Sequence, residues 1–267
     1  MAGEPAGPET QILAVLDHER APDDDLAHAG PGLRDEPDVV AHAVSREVAV
    51  RLAAPRALRV LGAGRGAMHL DLDGFVVTLT APGVPRLPNG VAVDRLREGA
   101  RVGWPPGRPP LWDPRVEPLR GEAAAVRDLW AWLATRAAPP DLTLATAPER
   151  LVGRGRGLTP EGDDVLAGAA IGVRALGPAA GMDAAAVDAL ARGLCPADVG
   201  ARTTALSATL LRLAAERGAA PEPAHRLLGD PGDREGALAD LRRLGSSTGA
   251  AIAAGIALAA RDLAAGT

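Results

Sequence analysis

Hydrophobic positions change period partway along the chain. Ala57 to Leu61, Ala67 to Leu72 and Phe75 to Thr80 are short β-prone runs, the last two joined through Asp73-Gly74, a two-residue hairpin signal. Val91 to Val93 and Val116 to Leu119 read as further strands, punctuated by Pro82-Gly83, Pro88-Asn89-Gly90 and the proline-rich run 105–110. His69 alternates with Met68 and Leu70, which assigns it to the polar face of its strand. Ahead of these strands, Val40, Val44 and Val48 with Ala41, Arg51 and Leu52 fit an amphipathic helix that ends before Pro55. Trp112-Asp113-Pro114 reads as a turn whose indole packs on the sheet. Glu122 to Arg136 is helical by pattern, with Val126, Leu129, Trp130 and Leu133 on one face.

After Pro139-Pro140 the periods are helical throughout: Thr159 to about Leu176, Asp183 to Leu194, Ala201 to Arg217, Pro223 to Leu228, Asp233 to Leu244 and Gly249 to Leu263. The expected fold is therefore α+β, an N-terminal antiparallel β domain (a small sandwich or barrel) followed by a C-terminal all-helical domain. Residues 1–36 are expected to be a poorly ordered lead-in, 37–138 the helix plus antiparallel β domain, and 139–267 the helical domain.

Special chemistry concentrates in one stretch of the helical half. Gly153, Arg154, Gly155, Arg156, Gly157 and Leu158 lead into Thr159-Pro160, the signature of a helix start. A helix N-terminus carries free N–H groups and partial positive charge, so the loop and its arginines could hold a carboxylate or phosphate. Asp163 and Asp164 follow within the first turns. Two readings stay open for them: complements of the helix dipole, or a catalytic and metal-binding pair, for which Mg²⁺ is the candidate. Gly168 and Gly172 suit a close helix–helix approach. Farther along, Thr203 and Ser207 share a helix face with Thr204 between them, and Gly245 is followed by Ser246, Ser247, Thr248 and Gly249. These hydroxyls either bond locally or contribute to an anion cradle. Convergence of residues 155–159, 203–207 and 246–249 on one crevice is the sharpest expectation.

Composition narrows the function classes. The chain has 267 residues, 47% hydrophobic against 24% charged, which is the profile of a folded protein. Its net charge is −5 and all 29 basic residues are arginines spread along the chain, which argues against nucleic-acid binding. Cys195 stands alone, so neither an internal disulfide nor a cysteine-based zinc site is available. His18 and His28 lack ligand partners at metal-site spacing. The first ten residues lack the pattern of a signal peptide, and Ala250 to Ala260 falls short of the ~20 residues needed to cross a bilayer, so a cytoplasmic, membrane-free protein is expected.

Gly157-Leu158-Thr159-Pro160-Glu161-Gly162-Asp163-Asp164 closely resembles the Gly-Leu-Thr-Pro-Ser-Gly-Asp-Asp signature of the AllH-like family, which includes a subunit of oxamate carbamoyltransferase. Thr203-Thr204 with Ser207, and residues 245–249, are similar to later blocks of that family. Four positions depart from it: Arg156 replaces Pro, Glu161 replaces Ser, Ser246 replaces a frequent His and Ala251 a frequent Asp. The resemblance implies carbamoyl transfer between carbamoyl phosphate and oxamate, a small anionic substrate and companion subunits. A non-catalytic partner-binding or regulatory subunit, and a metal-dependent hydrolase using Asp163 and Asp164, are the alternatives.

Overall fold

The structure is a computed structural model, and it describes residues 12–16, 38–52, 56–64, 66–103 and 110–266. The chain divides into two compact units, Met1–Asp113 and Pro114–Thr267. The helix Ala123–Leu133, assigned with the strands at the sequence level, therefore lies in the second unit. Most of the expected lead-in, with His18 and His28, falls outside the described residues, as does most of the run 105–110.

Among the described residues of the first unit, eight strands form one sheet: β1 (Ile12–Leu16), β2 (Val39–Ser45), β3 (Arg56–Ala63), β4 (Ala67–Leu72), β5 (Phe75–Thr80), β6 (Gly90–Val93), β7 (Arg101–Gly103) and β8 (Leu111–Trp112). Their order is β6-β5-β4-β3-β1-β7-β2-β8, and β2 also pairs with β6, so the sheet curls back on itself. The barrel-like expectation holds. The antiparallel expectation does not, because the sheet is mixed: β1–β3, β2–β7, β2–β8 and β5–β6 are parallel pairs. Alternation in β4 buries Met68, Leu70 and Leu72, while His69 on the other face meets the Thr78 hydroxyl at 3.0 Å. The hairpin from β4 to β5 turns through Asp73 and Gly74, both at positive φ.

The helix expected over Val40 to Leu52 is instead β2 followed by the single turn α1 (Arg46–Ala49), capped by the Ser45 hydroxyl. A register shift between Ala41 and Ala43 explains the misreading: the bulge breaks the two-residue alternation, so buried positions fall at spacings that imitate a helix. Trp112 lies in β8 rather than in a turn.

The second unit holds α2 (Ala123–Leu133), α3 (Ala147–Leu151), α4 (Glu161–Leu176), α5 (Ala184–Gly193), α6 (Val199–Arg202), α7 (Ala205–Arg217), α8 (Glu222–Gly229), a 3₁₀ turn (Pro231–Asp233), α9 (Arg234–Arg242) and α10 (Thr248–Ala265). Val116 to Leu119 is not a strand. It runs extended along helix ends, Val116 N–H donating to Gly218 O and Leu119 N–H to Ala175 O, so its backbone is satisfied without a sheet. The expected helix from Ala201 to Arg217 breaks at Thr203, which is extended (φ −144°, ψ −177°), and restarts with the Thr204 hydroxyl as N-cap.

α4 is the axis of this unit. Gly162 to Val173 is buried without interruption, the mark of a helix enclosed on all sides, and α10, α7, α5 and α3 pack around it. The approach of α10 is possible only because glycines face backbone: a Cβ on Gly168 would stand 2.1 Å from Ile252 O, and one on Gly255 2.0 Å from Val165 O. Among the described residues α10 is the helix long and apolar enough to cross a membrane, yet most of it is buried against α4 and its neighbours as a core helix.

Candidate functional site

The loop ahead of α4 folds back over the helix start. Gly153 (φ 71°) and Gly155 (φ 129°) take backbone conformations that suit glycine, and a Cβ on either would collide with Arg202 O at 2.3 Å or Glu161 N at 2.5 Å. Gly162 N–H donates to Arg154 O at 2.7 Å, so the loop supplies part of the helix cap itself. That explains one difference from the sequence reading. Thr159 does not cap the helix; Pro160 occupies the N-cap position without a side-chain bond, and α4 begins at Glu161.

The Thr159 hydroxyl goes elsewhere, meeting the Thr248 hydroxyl at the start of α10 at 2.8 Å across 89 residues of sequence. The Thr204 hydroxyl donates to Leu158 O. From the same break, the hydroxyls of Thr203 and Ser207 both donate to Asp163 Oδ2, the latter at 2.8 Å, and Gly153 N–H donates to Oδ1 at 2.7 Å. The segments around 158, 204 and 248 thus meet at the start of α4.

The two aspartates are built differently. Asp163 is 1% exposed and both its oxygens accept protein hydrogen bonds, so it serves as a rivet joining the loop, α4 and the start of α7. Asp164 is 3% exposed, and its Oδ2 has no hydrogen-bond partner. Burial raises its pKa to about 7; the hydroxyls of Thr248 and Thr159 oppose the rise, while the charges of Asp163 and Glu161 add to it. This carboxyl is therefore divided between its protonated and ionised forms near neutral pH.

The side chains of the other expected site residues lie outside this hydrogen-bonded cluster. Arg154, Arg156, Gly157 and Leu158 are exposed, the loop's N–H groups from Gly155 to Thr159 meet no acceptor among the described residues, and Ser246 is exposed on the turn before α10. Ser247 is the N-cap of α10 but makes no side-chain cap bond, and Gly249 is packed on Leu241 O, where a Cβ would stand at 1.6 Å. No group of three or more His, Cys, Asp or Glu residues able to hold a metal occurs among the described residues. Cys195 has its pKa pushed up to about 11, chiefly by burial, which leaves it a thiol at neutral pH.

Sequence reasoning missed a groove of about 280 Å³ beside Glu161 and Val165, floored by alanines of α10 and flanked by Arg136 and Arg242. With every basic residue an arginine, Arg136 and Arg242 did not stand out from the others.

No curated protein and no solved structure matches the chain. A family model does, over the stretch that contains the loop, both aspartates, the Thr203 break and the start of α10. Residues 151–260 match the family model described as oxamate carbamoyltransferase subunit AllH, so this stretch of the chain is similar to that family.

Proposed function

We propose that this chain is the anion-binding subunit of a carbamoyltransferase, acting with companion subunits on oxamate and carbamoyl phosphate to give oxalurate and phosphate, or on a related carboxylate. The family description points to a carbamoyltransferase-related subunit in a complex. The observation that carries the reading is the convergence of Leu158–Thr159, Thr203–Thr204 and Thr248 by hydrogen bonds on one point at the start of α4. A glycine loop with free N–H groups, flanked by Arg154 and Arg156, is suited to an oxyanion, because donors fixed in advance need little reorganisation when the ligand arrives.

In this reading Gly155 to Thr159 and the two arginines bind the anion, and Thr204 and Thr248 hold the loop in shape. Asp163 acts on the site by positioning rather than by touching ligand, since its oxygens are occupied. Ser246 and Ala251, standing where the family frequently has His and Asp, favour a second reading in which the chain binds ligand or partner and the chemistry lies on another subunit.

A thermal-shift screen of the full chain with oxamate, carbamoyl phosphate, nucleotides and Mg²⁺ tests the proposal. Oxamate or carbamoyl phosphate should raise the melting temperature, and the double variant Arg154→Ala, Arg156→Ala should lose that rise while melting unliganded like wild type. A response to nucleotides alone would overturn it.

A further inference from the structure

We propose that the free oxygen of Asp164 receives an N–H group of the bound substrate, so that the site takes a ligand carrying an anionic group and an amide or amine nitrogen side by side. This rests on the anion-binding reading above and adds to it the second half of the ligand. Asp164 follows directly on Asp163, yet the two carboxylates have opposite fates: three protein donors saturate Asp163, and none reaches Asp164 Oδ2 although the residue is 97% enclosed, at 3% exposure. A buried acceptor without a donor is costly, and native proteins retain one chiefly where a ligand or function uses it. The residue is flanked by Thr159 of the loop and Thr248 of α10, which places the unused acceptor beside the proposed anion cradle.

The surroundings favour an N–H donor over another anion. The charged groups acting on Asp164 are Asp163 and Glu161 of its own helix, both acidic; from the loop and from α10 it meets the hydroxyls of Thr159 and Thr248, and no cation is among them. A second anionic oxygen against it would add repulsion, whereas an N–H relieves the missing hydrogen bond. During carbamoyl transfer the same oxygen can accept the proton that the nucleophilic nitrogen sheds. The N–C bond to the carbamoyl carbon forms, the C–O bond to phosphate breaks with its electron pair leaving on phosphate, and the proton ends on Asp164.

Proton-linked calorimetry of the full chain tests this without requiring turnover. Oxamate and oxalate, which differ in the N–H-bearing group, are titrated at pH 7 in two buffers of different ionisation enthalpy. An N–H contact stabilises the ionised carboxyl, so oxamate should release up to about half a proton per site, given a group titrating near the working pH. Asp164→Asn, checked to melt no lower than wild type, should bind oxamate without that release, and oxalate should produce none with either protein. Proton uptake on oxamate binding, no exchange, or equal release from the variant would each overturn the proposal. If carbamoyl phosphate or oxalate binds and oxamate releases no proton, the anion site stands and the role of Asp164 falls; if none of the three binds, both fall.

Discussion

At the scale of residues, neighbouring aspartates in the first turn of α4 carry different loads. Asp163 accepts from a backbone N–H and two hydroxyls, that of Ser207 buried and the other two donors part-buried, so Asp163→Ala strands several donors at once. That variant should lose about 2–4 kcal/mol of stability in denaturant unfolding. Asp164 should behave in the opposite sense. Its folded-state pKa of about 7 lies above the ordinary value of 3.8, so the native state retains the proton across that window and stability falls as pH rises through it, levelling above about 7. The loss should be on the order of 4 kcal/mol between the two limits, and Asp164→Asn should remove the slope. Denaturant midpoints of both proteins at pH 5 and pH 8 check this; a parallel decline in the variant would assign the slope to other groups. The acidic pair itself was legible in the sequence. The division of labour was not, because it depends on Thr203 and Ser207 reaching Asp163 across about forty residues.

At the scale of elements, the packing of α4 on α10 fixes how closely the loop and the start of α10 can meet. Gly168 and Gly255 each rest on a carbonyl of the opposing helix, and a methyl group there forces the helices apart. Gly168→Ala should cost about 1–3 kcal/mol from overpacking, which the better helix propensity of alanine does not offset. Gly193→Ala is the control: in α5 nothing lies within 4 Å of the added methyl, so stability should hold or rise by up to about 1 kcal/mol. Thermal unfolding of both variants separates the two cases. Small residues at 168 and 172 announced a close helix approach from the sequence alone, since only packing explains glycine inside a long apolar helix. Two other elements misled. Valines 40, 44 and 48 imitate a helix because a bulge displaces the alternation of β2, and the break at Thr203 vanishes into a sequence whose helical period continues on both sides.

At the scale of the whole molecule, the change from strand to helical periods correctly announced an α+β chain, whereas the mixed character of the sheet was hidden. Parallel pairs such as β1 with β3 join segments far apart in sequence, and no local turn signal marks them. The boundary along the chain falls between Asp113 and Pro114, ahead of α2, whose Val126, Leu129 and Leu133 are buried. A fragment of residues 114–267 should therefore unfold cooperatively on its own, while one of residues 139–267, lacking α2 and the segment that bonds to Ala175 and Gly218, should melt at a lower temperature or not fold.

In the proposed function, sequence-distant segments assemble one anion site at the start of α4. Backbone amide shifts of the isotope-labelled full chain, recorded while oxamate or carbamoyl phosphate is added, test it most directly. With one shared site, the amides of Gly155 to Thr159, Thr203 and Thr248 should move together along a single saturation curve. Shifts confined to the groove of Arg136 and Arg242, or an unchanged spectrum at saturating ligand, would contradict it.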